Sequence, residues 1–214
     1  MPEEESKGAL ERSASKVTDV LLNSARDGFA PMTGAAVYAD ERAERYEGDV
    51  EKAVKRIINE TSAASATAGF VTGLGGFVTM PLTVPANLAG SALLNARMVA
   101  AIAHLRGWDV RDPATANLIL LLVAGESATA AARAVGIKVG QELTKSAIKK
   151  LPIEAIRAVN RKVGFMLLAK YGTKRSAITL VKAVPFVGGA VGGTVDAGFT
   201  RAVALAAKKA FPAA

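Results

Sequence analysis

Residues 61–96 read TSAASATAGFVTGLGGFVTMPLTVPANLAGSALLNA and contain no charged side chain. A run this long and apolar must be buried in a helical core or face lipid, because a loop of such composition would leave backbone polar groups without partners. Pro81 and Pro85 each disfavour helix at the preceding residue, so Met80–Pro85 is expected to form a turn. The stretch predicts a helical hairpin, and both a buried and a shallowly membrane-inserted hairpin fit its length.

The rest of the chain predicts an all-α fold. Half of the 214 residues are hydrophobic but only 5% are aromatic, a composition that suits close helix packing better than a β-sandwich. Helical spacing recurs along the chain, whereas sustained two-residue alternation does not. We expect a compact multi-helix bundle with two glycine-rich apolar helical hairpin-like units. A charged, acidic N-terminal extension with one helix should occupy residues 1–47, and the helical domain should occupy residues 48–211.

Local signals place individual elements. A first helix is expected over residues 8–28, followed by a linker over residues 28–39 that contains proline and glycine. Asp49 is a suitable N-cap for a second helix of about twenty residues. Asp112 and Pro113 begin another helix, because Asp is a good N-cap and Pro suits the first helical position. That helix is apolar on every side and should be central.

Charge is divided unevenly along the chain. Residues 1–60 hold nine basic and thirteen acidic side chains, whereas residues 61–214 hold eighteen and six, a net charge of +12. Residues 138–182 alone contain eleven basic and two acidic side chains. Such a block favours phospholipid headgroups or nucleic acid. Scarce aromatics and the absence of a binding motif argue against nucleic acid, so we expect an anionic membrane surface as the partner. The basic residues expected to face lipid are Lys149, Lys150, Arg161 and Lys162.

Catalytic and cofactor motifs are missing. The Gly73–Gly76 run lacks the lysine that a phosphate-binding loop needs, so we expect no nucleotide cofactor. A chain with no cysteine and one histidine has neither a thiolate nucleophile nor a His-rich metal site, and we expect no metal. No Ser/His/Asp order or His-Glu-x-x-His pattern occurs. The sequence therefore gives no support to an enzymatic activity.

A few polar residues lie within or beside apolar segments and are candidates for burial. They are Arg97, His104, Glu126, Lys182, Asp196 and Arg201. In one interpretation these groups neutralise one another inside the helical core. In the other, four of them line a pocket in a soluble enzyme or small-molecule-binding protein, where their pKa values would be perturbed. The four are Arg97, His104, Glu126 and Asp196.

Two glycine-rich segments resemble a known family. Residues 69–85, GFVTGLGGFVTMPLTVP, followed by RMVAAIAH at 97–104 and Gly107, resemble the central signature of the EcsC protein family. Residues 184–193, VPFVGGAVGG, with Asp196 are similar to its C-terminal signature. The family takes its name from a component encoded with a bacterial ABC transporter, so the resemblance implies a membrane transporter as a further candidate partner. It implies no reaction and no catalytic residues.

These observations together predict a membrane-associated helical protein of the cytoplasmic leaflet. It would act as a non-catalytic accessory to a transport or envelope process, and the soluble pocket protein is the alternative. The N-terminal residues MPEEES lack an apolar region, so no secretory signal is expected. The expected location is the cytoplasm, with peripheral or shallowly inserted attachment at the inner face of the cytoplasmic membrane.

Overall fold

Helices form nearly all the regular structure in the computed structural model, which describes residues 18–73, 91–125 and 185–213. In chain order the elements are α1 (residues 18–27), β1 (Gly28–Phe29), β2 (Met32–Thr33), α2 (Ala35–Arg45), α3 (Val50–Gly73), α4 (Ser91–Leu105), α5 (Pro113–Ala124) and α6 (Pro185–Ala210). The two short strands pair antiparallel, with Gly28 opposite Thr33. The helices pack against each other, which confirms the predicted all-α bundle.

Helix α5 begins and ends where its sequence signals lie. The Asp112 carboxylate accepts hydrogen bonds from the backbone N–H groups of Ala114 and Thr115, both at 3.0 Å, and Pro113 follows it at the first helical position. Gly125 ends the helix in the left-handed conformation, with φ of 98°. Ten of the twelve residues of α5 are buried, so the prediction of a central apolar helix is confirmed.

Helix α4 lies at the centre of the described bundle. It packs against α2, α3, α5 and α6, and ten of its fifteen residues are buried. Five of these ten buried residues are alanines. Small side chains let neighbouring helix backbones approach closely on several sides at once. The charge-free stretch therefore contributes its C-terminal end, residues 91–96, to the protein core.

Helices α3 and α6 form the most extensive contact between described elements. Their ends are joined by Arg106, whose side chain is only 4% exposed. It donates hydrogen bonds to the backbone carbonyls of Lys208, at 2.9 Å, and Phe211, and it pairs with Glu51 at the start of α3. The Trp108 ring packs edge-on against Phe211, with centroids 5.3 Å apart. We call Arg106 with its three partners the Arg106 clasp.

The region between α1 and α3 differs from the expected linker. Within residues 28–39 the chain forms the strand pair and then enters α2 at Ala35. Ala35, Tyr38 and Ala39 are buried, because α2 packs on α3 and α4. Gly34 permits this path, since a Cβ atom there would lie 2.2 Å from the carbonyl oxygen of Arg26. Tertiary packing thus stabilises a helix that the local sequence does not indicate.

Other predicted features lie partly or wholly outside the described residues. The predicted turn over Met80–Pro85 lies outside them, and so do residues 8–17 of the first predicted helix. The second glycine-rich segment is described as the first part of α6, which continues as one helix to Ala210. The domain boundary at residue 48 stays a prediction.

Candidate functional site

Arg97 and His104, seven residues apart on α4, both contact the α2 region. The Arg97 guanidinium lies over the Tyr38 ring, 4.0 Å from its centroid, and Nη1 donates a hydrogen bond to the Thr33 carbonyl oxygen at 3.2 Å. His104 Nε2 lies 2.9 Å from Oδ1 of Asp40. A separation of seven residues places both side chains near the same face of a helix. Their partners among the described residues belong to β2 and α2. None of these partners is one of the six polar residues that were candidates for burial.

Tyr38 connects three helices through its ring and its hydroxyl group. The guanidinium groups of Arg42 and Arg97 each lie over the ring, 4.0 Å from the centroid. The hydroxyl donates to Oε2 of Glu60 at 2.9 Å, and Arg42 Nε donates to the same oxygen at 3.1 Å. Arg56 Nε donates to Oε1 of Glu60 at 2.6 Å. We call these five residues the Tyr38 cluster, and it links α2 to both α3 and α4.

Burial and charge set the ionisation of the Tyr38 cluster. Burial, and then the hydrogen bond to Glu60, raise the pKa of the Tyr38 phenol. Burial acts to raise the pKa of Glu60, but hydrogen bonds from Arg56, Tyr38 and Arg42 outweigh it and hold that pKa below its usual value. Burial lowers the pKa of Arg97, and the nearby Arg42 charge lowers it further. The lowered pKa keeps the Glu60 carboxylate ionised at neutral pH, and Arg97 stays charged there because a guanidinium keeps its proton despite burial. The cluster therefore acts as an ion-pair connection between helices.

The remaining candidates from the sequence lie apart from this cluster or outside the described residues. Asp196 is half-buried on α6. Arg201, five residues later, is exposed and so differs from the buried position that we expected, because it lies on the solvent side of α6. The candidates outside the described residues are Glu126, Lys182, Lys149, Lys150, Arg161 and Lys162.

A small cleft lies between α1 and the start of α5. It encloses about 70 Å³, and its walls include Leu22, Ala25, Ala100 and Ile119 with polar groups at the rim. Ligand pockets usually have volumes of roughly 300–1,000 Å³, so this cleft is too small for a metabolite. Neither Arg97 nor His104 lines it.

The solvent-facing side of α6 combines apolar and basic residues. From residue 194 onward its exposed positions are Thr194, Val195, Gly198, Arg201, Ala202, Leu205 and Lys209, which we call the α6 outer face. At 100° per residue these positions span an arc of roughly 120°. The side chains of Val195 and Leu205 are 61% and 63% exposed, among the most exposed large hydrophobics in the described residues. No acidic residue belongs to this face.

Sequence reasoning missed the α6 outer face, although a signal for it exists. Positions 195, 198, 202, 205 and 209 are separated by alternating steps of three and four residues, the spacing of one helix face. Buried positions of the same helix, such as Val203 and Ala207, fall on the other side. Both sides are rich in small apolar residues, so hydropathy alone does not show which side faces the core.

The family model of the EcsC protein family matches residues 41–212. The chain belongs to the EcsC protein family. The EcsC match begins within α2 and ends just beyond α6, so it includes the α6 outer face, the Arg106 clasp and all of the Tyr38 cluster except Tyr38 itself. Neither a curated protein nor a solved structure matches the chain significantly. Within the described parts of this EcsC protein, no helix has both the length and the apolarity needed to span a bilayer.

Proposed function

We propose that this EcsC-family protein is a non-catalytic accessory protein that docks peripherally on the cytoplasmic face of an anionic membrane and assists a transport or envelope process. One observation carries the proposal. The described residues contain twelve basic and twelve acidic side chains, which sum to no net charge. Residues 126–184 contain twelve basic and three acidic side chains, a net charge of +9. The excess positive charge of the protein is thus confined to one stretch of the chain.

Several charged side chains of the described residues pair with one another. Arg42 and Arg56 pair with Glu60, Arg106 and Lys208 pair with Glu51, and Arg26 pairs with Asp27. A block of eleven basic residues over residues 138–182 attracts anionic lipid by roughly 1 kcal/mol for each cation that lies near the surface, and salt screens this attraction.

Liposome co-sedimentation with the full chain tests the proposal. We expect binding to vesicles containing phosphatidylglycerol at low salt, weaker binding as salt is raised, and little binding to neutral phosphatidylcholine vesicles. Lys149, Lys150, Arg161 and Lys162 replaced together by Gln should remove most of the salt-sensitive binding. If folded wild-type protein ignores anionic vesicles even at low salt, the proposal is refuted.

A matched control separates local from total charge. Arg45, Lys52, Lys55 and Arg111 are exposed basic residues outside the basic stretch, and replacing all four by Gln removes the same total charge. This control should bind anionic vesicles nearly as well as wild type. Equal losses in the two quadruple variants would show that net charge alone drives binding, and would contradict a dedicated basic surface.

A further inference from the structure

The α6 outer face exposes two large apolar side chains. Val195 and Leu205 lie ten residues apart, about 15 Å along the helix axis, and most of each side chain is open to solvent. A Cβ atom added at Gly198, between them, would meet no other atom within 4 Å. The side chains of Val195 and Leu205 therefore face solvent, whereas Val203 and Ala207 on the other side of the helix are buried.

The charges of this face have one sign. Arg201 and Lys209 are exposed, and within the described residues neither takes part in an ion pair of the kind that holds Lys208 to Glu51. Asp196 is half-buried and lies about 100° around the helix from Val195, away from the face. Aliphatic side chains flanked by unpaired cations match a bilayer interface, where apolar groups enter the acyl boundary and cations contact phosphates.

A second copy of the chain fits the same face less well. In a two-fold contact the face would meet itself, and the cations of both copies would approach each other without an acidic partner on either face. Two large aliphatic side chains also provide little of the area that a stable dimer needs. Charge complementarity thus favours an anionic lipid surface over self-association.

We propose that the α6 outer face is the surface that contacts anionic lipid, with Val195 and Leu205 entering the interface and Arg201 and Lys209 contacting headgroup phosphates. This inference rests on the proposed membrane function and adds a defined contact surface to it. The basic stretch at residues 126–184 supplies the salt-sensitive attraction, whereas the aliphatic pair supplies a salt-resistant part.

Site-specific labelling tests the contact directly, because the chain contains no cysteine. Leu205→Cys and Val37→Cys introduce a single thiol at two exposed aliphatic positions, 63% and 53% exposed, for coupling to a polarity-sensitive fluorophore. On addition of phosphatidylglycerol vesicles we expect a blue shift from position 205 and none from position 37, which lies on α2. A shift at position 205 that appears with rising protein concentration, without vesicles, would identify self-association and overturn the proposal.

Binding at high salt provides the second measurement. The double variant Val195→Ser with Leu205→Ser should lose salt-resistant binding by at least about tenfold, since each aliphatic side chain contributes on this scale when buried. Val37→Ser, the control, should bind as wild type does. All variants should keep the wild-type melting temperature, because the replaced side chains are exposed. If wild-type protein binds but the double variant and the label at 205 behave as their controls do, this face is not the contact, and the membrane function stands without it. If wild-type protein does not bind, both proposals fail.

Discussion

Replacing Arg106 by Ala should destabilise the protein by about 3 kcal/mol. The guanidinium is nearly fully buried and donates to two backbone carbonyls at the end of α6, those of Lys208 and Phe211. A hydrogen bond from a charged donor contributes roughly 1.5–3 kcal/mol, and a carbonyl left without its donor adds a desolvation cost. The Glu51 carboxylate is half-exposed, so its ion pair adds less than about 1 kcal/mol.

Thermal unfolding followed by circular dichroism measures this effect. For a chain of this size, a loss of about 3 kcal/mol corresponds to a decrease in Tm of about 6–12 °C. Arg111→Ala is the matched control, because the Arg111 side chain is 72% exposed and its guanidinium lies 3.7 Å from Oδ1 of Asp27. The control should melt within about 1 °C of wild type. An Arg106→Ala protein that melts as the control does would refute the view that Arg106 joins α6 to α3.

Three further predictions concern other described residues. Glu60→Gln should cost about 2 kcal/mol in urea denaturation, because Tyr38, Arg42 and Arg56 all lose a charged acceptor, and an unchanged denaturation midpoint would contradict this. Asp112→Ala should cost about 1 kcal/mol through loss of the α5 N-cap, whereas Asp112→Asn, which keeps the acceptor, should cost less; equal losses would exclude the cap as the cause. A hydrogen bond from Lys208 lowers the pKa of Glu51 despite the opposing effect of burial, so its stabilisation is complete above the ordinary value of 4.5 and is lost as the pH falls through the lower folded value. As the pH is lowered through the folded pKa of Glu51, the free energy of unfolding should therefore decrease less in Glu51→Gln than in wild type. An equal decrease in both proteins would contradict the ion pair.

The sequence was sufficient wherever a local signal and the tertiary environment agree. Asp112, Pro113 and Gly125 mark both ends of α5, and an apolar surface on every side predicts its central position. The sequence also indicated the family, because the glycine-rich segments keep a recognisable order along the chain. The uneven distribution of charge follows from counting alone. These properties depend on neighbouring residues or on composition, so they need no knowledge of distant contacts.

Tertiary structure alone decided the properties that depend on which helix sides meet. Residues 35–39 form part of α2 because Ala35, Tyr38 and Ala39 are buried where α2 packs on α3 and α4, although the segment contains linker signals. Arg97 contacts Tyr38, 59 positions earlier in the chain, rather than joining a site with His104, which pairs with Asp40. On α6, small apolar residues occupy both sides, and only packing against α3 determines that Leu205 faces solvent. Sequence therefore determined α5, the helical class of the fold and the distribution of charge, whereas long-range packing determined α2, the partners of the charged residues and the surface left open to solvent.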